Sequence, residues 1–170
     1  FVTPDESEVV AGLRGEVDPG EPTIQVIDPR TDTVSWGMEL TGHQQYGRTH
    51  HEVRPMAFEA GPDGSTTRAF AQATAINAVW VIDWKARKVV DLLWPPKLPL
   101  WKQNADGIQT GDMHGVEVLP DKSSVWASSR LDSRIYGWSL PDLKYIGAIE
   151  TGPTANWMTS TPDSKFMYVA

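Results

Sequence analysis

Residues 79–90 read VWVIDWKARKVV, and this stretch decides the fold. Four apolar residues end at Asp83, a short polar turn follows, and a second apolar run begins at Lys88. Short apolar runs rich in β-branched residues and bounded by turn residues are typical of β-strands. The same order of strand, turn and strand recurs at residues 24–34 and at residues 135–149. The chain therefore contains an internal repeat built from paired strands.

A Pro-Asp turn lies upstream of each strand pair, at Pro4, Pro62 and Pro120, and the same arrangement recurs at Pro162. Proline presets φ and aspartate bonds its own backbone, so such sequences favour tight turns. Apolar strands flank these turns, as in GVEVLPDKSSVWA at residues 115–127. Each repeat thus holds four short strands, which is typical of a β-propeller blade. No segment of useful length has helical periodicity.

The predicted fold is all-β, a β-propeller of four-stranded antiparallel blades. We place the blades at residues 1–40, 53–93 and 114–150, with a half blade at 155–170. A β-sandwich would also give short strands, but it would not repeat one four-strand unit in register. Propellers close with about four to eight blades, so we expect residues 1–170 to form part of a larger, seven-bladed propeller. The remaining blades would come from further sequence beyond both termini or from another chain.

The repeat resembles the YVTN family of bacterial and archaeal propeller repeats. The similar segments are IQVIDPRTDTV at residues 24–34, VWVIDWKARKVV at 79–90, GVEVLPD at 115–121 and TPDSKFMYVA at 161–170. This resemblance implies a propeller fold. It implies no single function, because the family contains both binding scaffolds and enzyme domains.

The composition excludes several classes of protein. The net charge of −7 and the absence of a Lys/Arg run argue against binding to nucleic acid. No stretch approaches the length of about 20 apolar residues that a transmembrane segment needs. The chain has no cysteine, which excludes disulfides and cysteine-ligated metal. Because cysteine-free β-proteins are common in bacterial periplasms, we expect a periplasmic or extracellular location.

The loops predict which face carries the function. The long connections, at residues 12–23, 41–52 and 94–113, should gather at one end of the blades, because antiparallel strands alternate in direction. Long loops on rigid scaffolds concentrate binding and catalytic residues. Residues 94–101, WPPKLPLW, are the most unusual of these. They predict either a partner-docking arm or a surface crossover whose tryptophans pack against a neighbouring blade.

All four histidines, His43, His50, His51 and His114, fall in or beside these long loops. His114 begins an innermost strand, and His50 and His51 precede the equivalent strand of the second blade. Innermost strands line the central channel, so we expect His114 and one of the pair to point into it. Neutral imidazole is the commonest transition-metal ligand. The sequence therefore leaves two interpretations of His50, His51 and His114: they form a metal site, or they are polar residues of the pocket and its loops.

A second resemblance supports that site. HHEVRPMAF at residues 50–58 and HGV at 114–116 are similar to the channel-mouth histidine segments of the propeller domain of nitrous oxide reductase. The resemblance implies copper, or heme as in related propellers. The sequence departs from the pattern where Asn156 takes the place that His114 has one blade earlier.

Three further residues complete the predicted channel mouth, namely Arg54, Arg130 and Trp101. The two arginines suit bidentate binding of an anionic ligand, and they are also explicable as solvated loop charges. Catalytic motifs such as Gly-x-Ser-x-Gly or His-Glu-x-x-His are absent from the sequence.

Two functions of different classes follow. The leading one is a binding scaffold that presents its long-loop face to a protein or small-molecule ligand. The alternative is an oxidoreductase that holds copper or heme at its channel mouth. The sequence leaves open whether the protein is an enzyme.

Overall fold

The structure is a computed structural model that describes residues 1–13, 21–40, 53–73, 76–104 and 113–170, without the side chains of residues 54 and 73. The described part is all-β, and its one helical element is a single 3₁₀ turn at Leu100–Lys102. No helix in it has the length and apolar character needed to cross a membrane. The strands are β1 (Val9–Gly12), β2 (Ile24–Asp28), β3 (Thr33–Met38), β4 (Val53–Ala60), β5 (Thr66–Ala73), β6 (Val79–Asp83), β7 (Lys88–Leu93), β8 (Met113–Val118), β9 (Ser124–Ser129), β10 (Arg134–Ser139), β11 (Tyr145–Glu150), β12 (Met158–Ser160) and β13 (Met167–Val169).

These strands form four antiparallel sheets in chain order. The first sheet contains β1 to β3, the second β4 to β7, the third β8 to β11, and the fourth β12 and β13. An isolated bridge between Val2 and Val9 adds a short fourth segment to the first sheet. The prediction of an all-β fold with antiparallel sheets is confirmed.

Burial differs between the strands of one sheet. The third strands, β6 and β10, are buried over most of their length. The outer strands β7 and β11 are largely exposed. A strand buried on both faces reads as a continuous apolar run rather than an alternating one. The run VWVI in β6 is of this kind.

The sheets pack against one another in chain order and bury two apolar cores. Val10, Val26, Trp80 and Ile82 belong to the core shared by the first and second sheets. The core between the second and third sheets is built from Phe70, Val79, Val81, Val116, Val125, Tyr136 and Trp138. The first strands β4, β8 and β12 lie side by side. Because successive sheets stack along their first strands, the strands of all sheets begin and end at the same two ends of the molecule.

Glycine permits the closest approach between sheets. A Cβ at Gly115 of β8 would lie within 2.3 Å of the carbonyl oxygen of Asn156. The hydroxyl of Ser128 donates to that same carbonyl at 3.1 Å. Any larger residue at position 115 would push the third and fourth sheets apart.

A carboxylate joins the first and second sheets. The indole N–H of Trp36 in β3 donates to Oε1 of Glu8 at 3.2 Å, and that of Trp84, just after β6, donates to Oε2 at 2.6 Å. The two indoles also touch edge-on, with ring centroids 4.8 Å apart. Glu8 thus closes one junction between sheets with charge-assisted hydrogen bonds.

The Pro-Asp turns share one local arrangement. Oδ1 of Asp63 accepts from the hydroxyl of Ser65 at 2.7 Å and from its backbone N–H at 3.1 Å. Asp121 accepts in the same way from Ser123 at 2.7 and 2.9 Å. Hydrogen bonds to the charged form favour it, so the hydroxyl donor, followed by the backbone donor, lowers the pKa of both carboxyl groups. Between aspartate and serine the chain takes a positive φ, +85° at Gly64 and +59° at Lys122.

Contacts between successive turns place them at one end of the sheets, which we term the turn end. The backbone N–H of Asp121 donates to the hydroxyl of Ser164 at 3.0 Å, and Nζ of Lys122 donates to the carbonyl of Gly61 at 3.3 Å. Pro120 lies just beyond the end of β8, whereas His114 is the second residue of that strand. His114 therefore lies toward the opposite end, which we term the long-loop end.

Candidate functional site

The long-loop end contains His114, and a shift of strand register sets the direction of its side chain. In the pairing of β8 with β9 the register shifts between Met113 and Gly115. Met113 and Val116 enter the core shared with the second sheet. The imidazole of His114 instead packs edge-on against Trp157, beside β12, with ring centroids 4.8 Å apart, and the residue is 8% exposed. His114 thus contacts the fourth sheet.

The predicted partners of His114 lie outside the described residues. This applies to His50, His51 and the side chain of Arg54, and His43, which is not one of these partners, lies outside the described residues as well. Within the described ranges, no three His, Cys, Asp or Glu residues are grouped closely enough to hold a metal ion. The copper or heme site therefore stays a prediction.

The two remaining predicted residues lie on different parts of this end. Arg130 is half-buried and directly follows β9. Trp101 belongs to the 3₁₀ turn and is 84% exposed. The indole of Trp101 therefore lies largely in solvent in the described structure, and both interpretations of residues 94–101 stay predictions. The structure does not bring Trp101 and His114 into contact.

A buried polar network at this end escaped the sequence analysis. Oδ2 of Asp132 accepts from Nδ2 of Asn77 and from the hydroxyl of Tyr136, each at 2.8 Å. Ser129 donates its hydroxyl to Oδ1 of Asn77 at 2.8 Å and accepts the backbone N–H of Asp132 at 3.1 Å. Asn77 precedes β6 in the second sheet, and the other three residues belong to the third. The network therefore joins two sheets by side-chain hydrogen bonds.

The network holds Tyr136 as a protonated donor. Burial raises the pKa of its phenol, and the hydrogen bond to Asp132 raises it further. A neutral phenol and a neutral amide are thus the two donors to the Asp132 carboxylate.

The second oxygen of this carboxylate is not used by the network. Asp132 is 4% exposed, and within the described residues its Oδ1 has no hydrogen-bond partner. A buried acceptor without a partner costs about 1–3 kcal/mol, which is why few occur in native proteins. Asp132 also contributes to the lining of a cleft, where its carboxylate can attract a bound group.

Asp132 lines a cleft of about 260 Å³. The other lining residues come from residues 94–98, which begin the segment that we term the arm (residues 94–101), together with Asn77 and Gln103. The backbone N–H of Asn104 donates to the carbonyl of Leu131 at 2.6 Å and fixes the end of this segment to the β9–β10 loop. Prolines 95, 96 and 99 restrict φ along the arm. The arm is thus a stiff wall on one side of the cleft.

The arm displays apolar side chains to water. Trp94 is 47% exposed, and Leu100 is 71% exposed next to the still more exposed Trp101. Isolated exposed apolar residues are ordinary, but three on one proline-stiffened loop form a surface that suits binding.

A sequence signal for the cleft exists. Asn77 and Asp132 each stand two residues before the third strand of their sheets. A polar residue repeated at that position predicts a shared place in the fold. Because these two residues belong to no known motif, the sequence did not indicate what the cleft would bind.

Comparison with known proteins gives the fold alone. No family model and no curated protein matches the chain. Hydrazine synthase of Kuenenia stuttgartiensis is similar in structure, with a TM-score of 0.63, 16% identity, and coverage of 99% of this chain and 40% of that chain. U3-55K gives a TM-score of 0.62 at 10% identity, with coverage of 93% and 40%. Both are propeller-like, and the chain spans two fifths of the length of each.

Proposed function

We propose that this chain is part of a β-propeller and acts as a binding scaffold, whose long-loop end receives a protein or small-molecule ligand. The observation that carries the proposal is the arm, which holds exposed Trp101 and Leu100 beside a cleft with a buried carboxylate. The proposed location is the periplasm or the extracellular space, which rests on the cysteine-free composition.

The physics of the arm favours binding. An indole in solvent gains free energy when a partner covers it, and tryptophan is enriched among the residues that dominate binding energy. Proline limits the conformational freedom of the arm before binding, so less entropy is lost when a partner orders it.

Capture of partners from a periplasmic or secreted extract tests this function. We expect Trp101→Ser to lose a captured protein that the wild-type protein retains. Val34→Ser is the matched control, because Val34 is an exposed apolar residue of β3 in the first sheet. Equal capture by the wild-type protein and both variants would contradict a role for the arm.

We also propose that further blades of a seven-bladed propeller continue from the fourth sheet. Within the described residues, β13 pairs only with β12. An open groove of about 350 Å³, lined by apolar residues such as Trp126, Ile149 and Phe166, lies beside it. Sheet edges and apolar grooves of this kind are covered in closed propellers.

Hydrogen exchange tests this completion. When the remaining blades are present, the amides of β13 that do not bond to β12 should exchange slowly. In residues 1–170 alone they should exchange fast. Equal rates in both would contradict the proposal.

The alternative function, an oxidoreductase with copper or heme, depends on His50 and His51 reaching His114. Its support is the position of His114 near the start of a first strand at the long-loop end. We expect natively purified protein of this kind to contain copper or heme, and His114→Ala to lower that content. His43→Ala is the control, because His43 lies outside the predicted set. Protein free of both after native purification would contradict the alternative.

A further inference from the structure

We propose that the cleft beside the arm binds a cationic group, either a primary ammonium or a guanidinium, and that Asp132 is its acceptor. This inference rests on the proposed function, because it names the chemistry that the long-loop end recognises.

The acceptor is a buried carboxylate without a counter-ion among the residues that the structure describes. None of the ion pairs among the described residues involves Asp132. Its Oδ2 receives two neutral donors, and its Oδ1 receives none there. A buried negative charge is costly unless it is paired, so a cation gains more at this place than a neutral hydroxyl or amide does.

The wall of the cleft also suits a cation. Trp94 supplies an indole, and the face of an indole attracts ammonium and guanidinium groups. Pro95 and Pro96 add apolar surface for the methylene groups that carry such a cation. The net charge of −7 favours the approach of cations over anions.

The volume limits the size of the group. A cleft of about 260 Å³ lies just below the range of about 300–1,000 Å³ that holds drug-sized ligands. It therefore fits one lysine or arginine side chain of a partner protein, or a small free amine.

Lys97 allows the sign of the charge that the cleft binds to be tested. It is the only cationic residue among those that line the cleft, it is exposed, and it forms no ion pair with Asp132. Its ammonium repels a bound cation from the rim. Lys97→Ala should therefore increase the affinity for a cation and would decrease the affinity for an anion.

The test is titration of the full chain with three probes of similar size: Nα-acetyl-lysine amide, Nα-acetyl-arginine amide and the neutral Nα-acetyl-norleucine amide. Methylammonium serves as a fourth probe that separates a free amine from a side chain. Binding is measured by isothermal titration calorimetry for every variant, and the indole N–H resonance of Trp94 reports it as well wherever that residue is present. We expect the cationic probes to bind and the neutral one to fail.

Variants assign the binding to the cleft. Asp132→Asn should lower the affinity for the best cationic probe by about tenfold, the size of one lost charge-assisted hydrogen bond. Trp94→Leu should weaken binding, Lys97→Ala should strengthen it, and Val34→Ser should leave it unchanged, because Val34 lies in β3 of the first sheet and does not line the cleft. If Asp132→Asn fails to fold, the opposite shifts of Trp94→Leu and Lys97→Ala carry the test.

Equal binding of the neutral probe, or no response to these variants, would overturn the inference. If no probe binds while Trp101→Ser still loses its captured protein, the inference fails and the scaffold function stands. If the cations bind but Trp101→Ser captures as the wild type does, the role of the arm in the proposed function fails instead.

Discussion

The turn end and the long-loop end use aspartate in opposite ways. At the turn end, Asp63 and Asp121 bond residues two positions along the same chain, in water. At the long-loop end, Asp132 is buried and bonds Asn77, which lies 55 residues away in another sheet. The first arrangement recurs in successive repeats and sets the fold of each. The second occurs once among the described residues, and it leaves one carboxylate oxygen there without a hydrogen-bond partner.

The two ends should also differ in how much stability is lost when an aspartate is removed. When an exposed turn aspartate is removed, water can bond the freed donors. When Asp132 is removed, the donors that lose their acceptor are buried. The cost of a lost carboxylate should therefore follow burial rather than the number of hydrogen bonds.

The largest expected effect is that of Asp132→Ala. The substitution leaves the Tyr136 hydroxyl and the Asn77 amide without their acceptor in the interior. We expect the free energy of unfolding to fall by about 3 kcal/mol, measured by urea denaturation with an unchanged denaturant slope.

Asp121→Ala is the matched control at the turn end. Its hydrogen bonds to Ser123 are about as short as those of Asp132, but they are exposed. We expect a clearly smaller loss. An equal loss from the two variants would break the comparison, because burial would then not matter.

An intermediate effect is expected from acid. The pKa values of Asp5, Asp63, Asp121 and Asp163 are lowered in the folded chain below the ordinary value of 3.8, chiefly by side-chain hydroxyl donors. A lowered folded-state pKa contributes stability that is complete above the unfolded pKa and is lost as the pH falls through the folded pKa. The thermal midpoint should therefore be insensitive to these groups above about pH 5 and should fall below about pH 4. Thermal melts of the wild-type chain across this range measure the effect.

Asp63→Asn combined with Asp121→Asn sharpens this prediction. The double variant should be less stable at neutral pH and should lose less on acidification, so the two curves should converge in acid. If the thermal midpoints of the wild type and the double variant fell in parallel as the pH is lowered, the turn carboxylates would not be the cause of the loss of stability in acid.

The smallest expected effect on stability is that of Trp101→Ser. The indole is solvated and lies outside both apolar cores, so the free energy of unfolding should change by less than about 0.5 kcal/mol. Urea denaturation measures it beside Val34→Ser. A large loss of stability would mean that the arm supports the fold. The view that the long-loop end serves binding rather than stability would then be wrong.

The strands and turns could be predicted from the sequence because their causes are local. Proline, aspartate and serine within four residues determine a turn, and an apolar run such as VWVI indicates a buried strand. These signals repeat, so each occurrence supports the others.

The candidate site could not be predicted to the same depth, because its causes are not local. The partners of Asp132 depend on how the second sheet packs against the third. The direction of His114 depends on a register shift between Met113 and Gly115 that no residue type announces. The exposure of Trp101 depends on how the arm packs, and the sequence alone could not supply it. The predicted roles of His50 and His51 stay predictions.

The carboxylate of Glu8 has an optical consequence. It holds the indoles of Trp36 and Trp84, which come from different sheets, in one hydrogen-bonded and partly shielded arrangement. Indole emission shifts in wavelength and intensity when water replaces such surroundings. Separation of the first sheet from the second would alter both chromophores in the same event, while the indoles of the third sheet kept theirs. The fluorescence of Trp36 and Trp84 should therefore report specifically on the separation of the first sheet from the second.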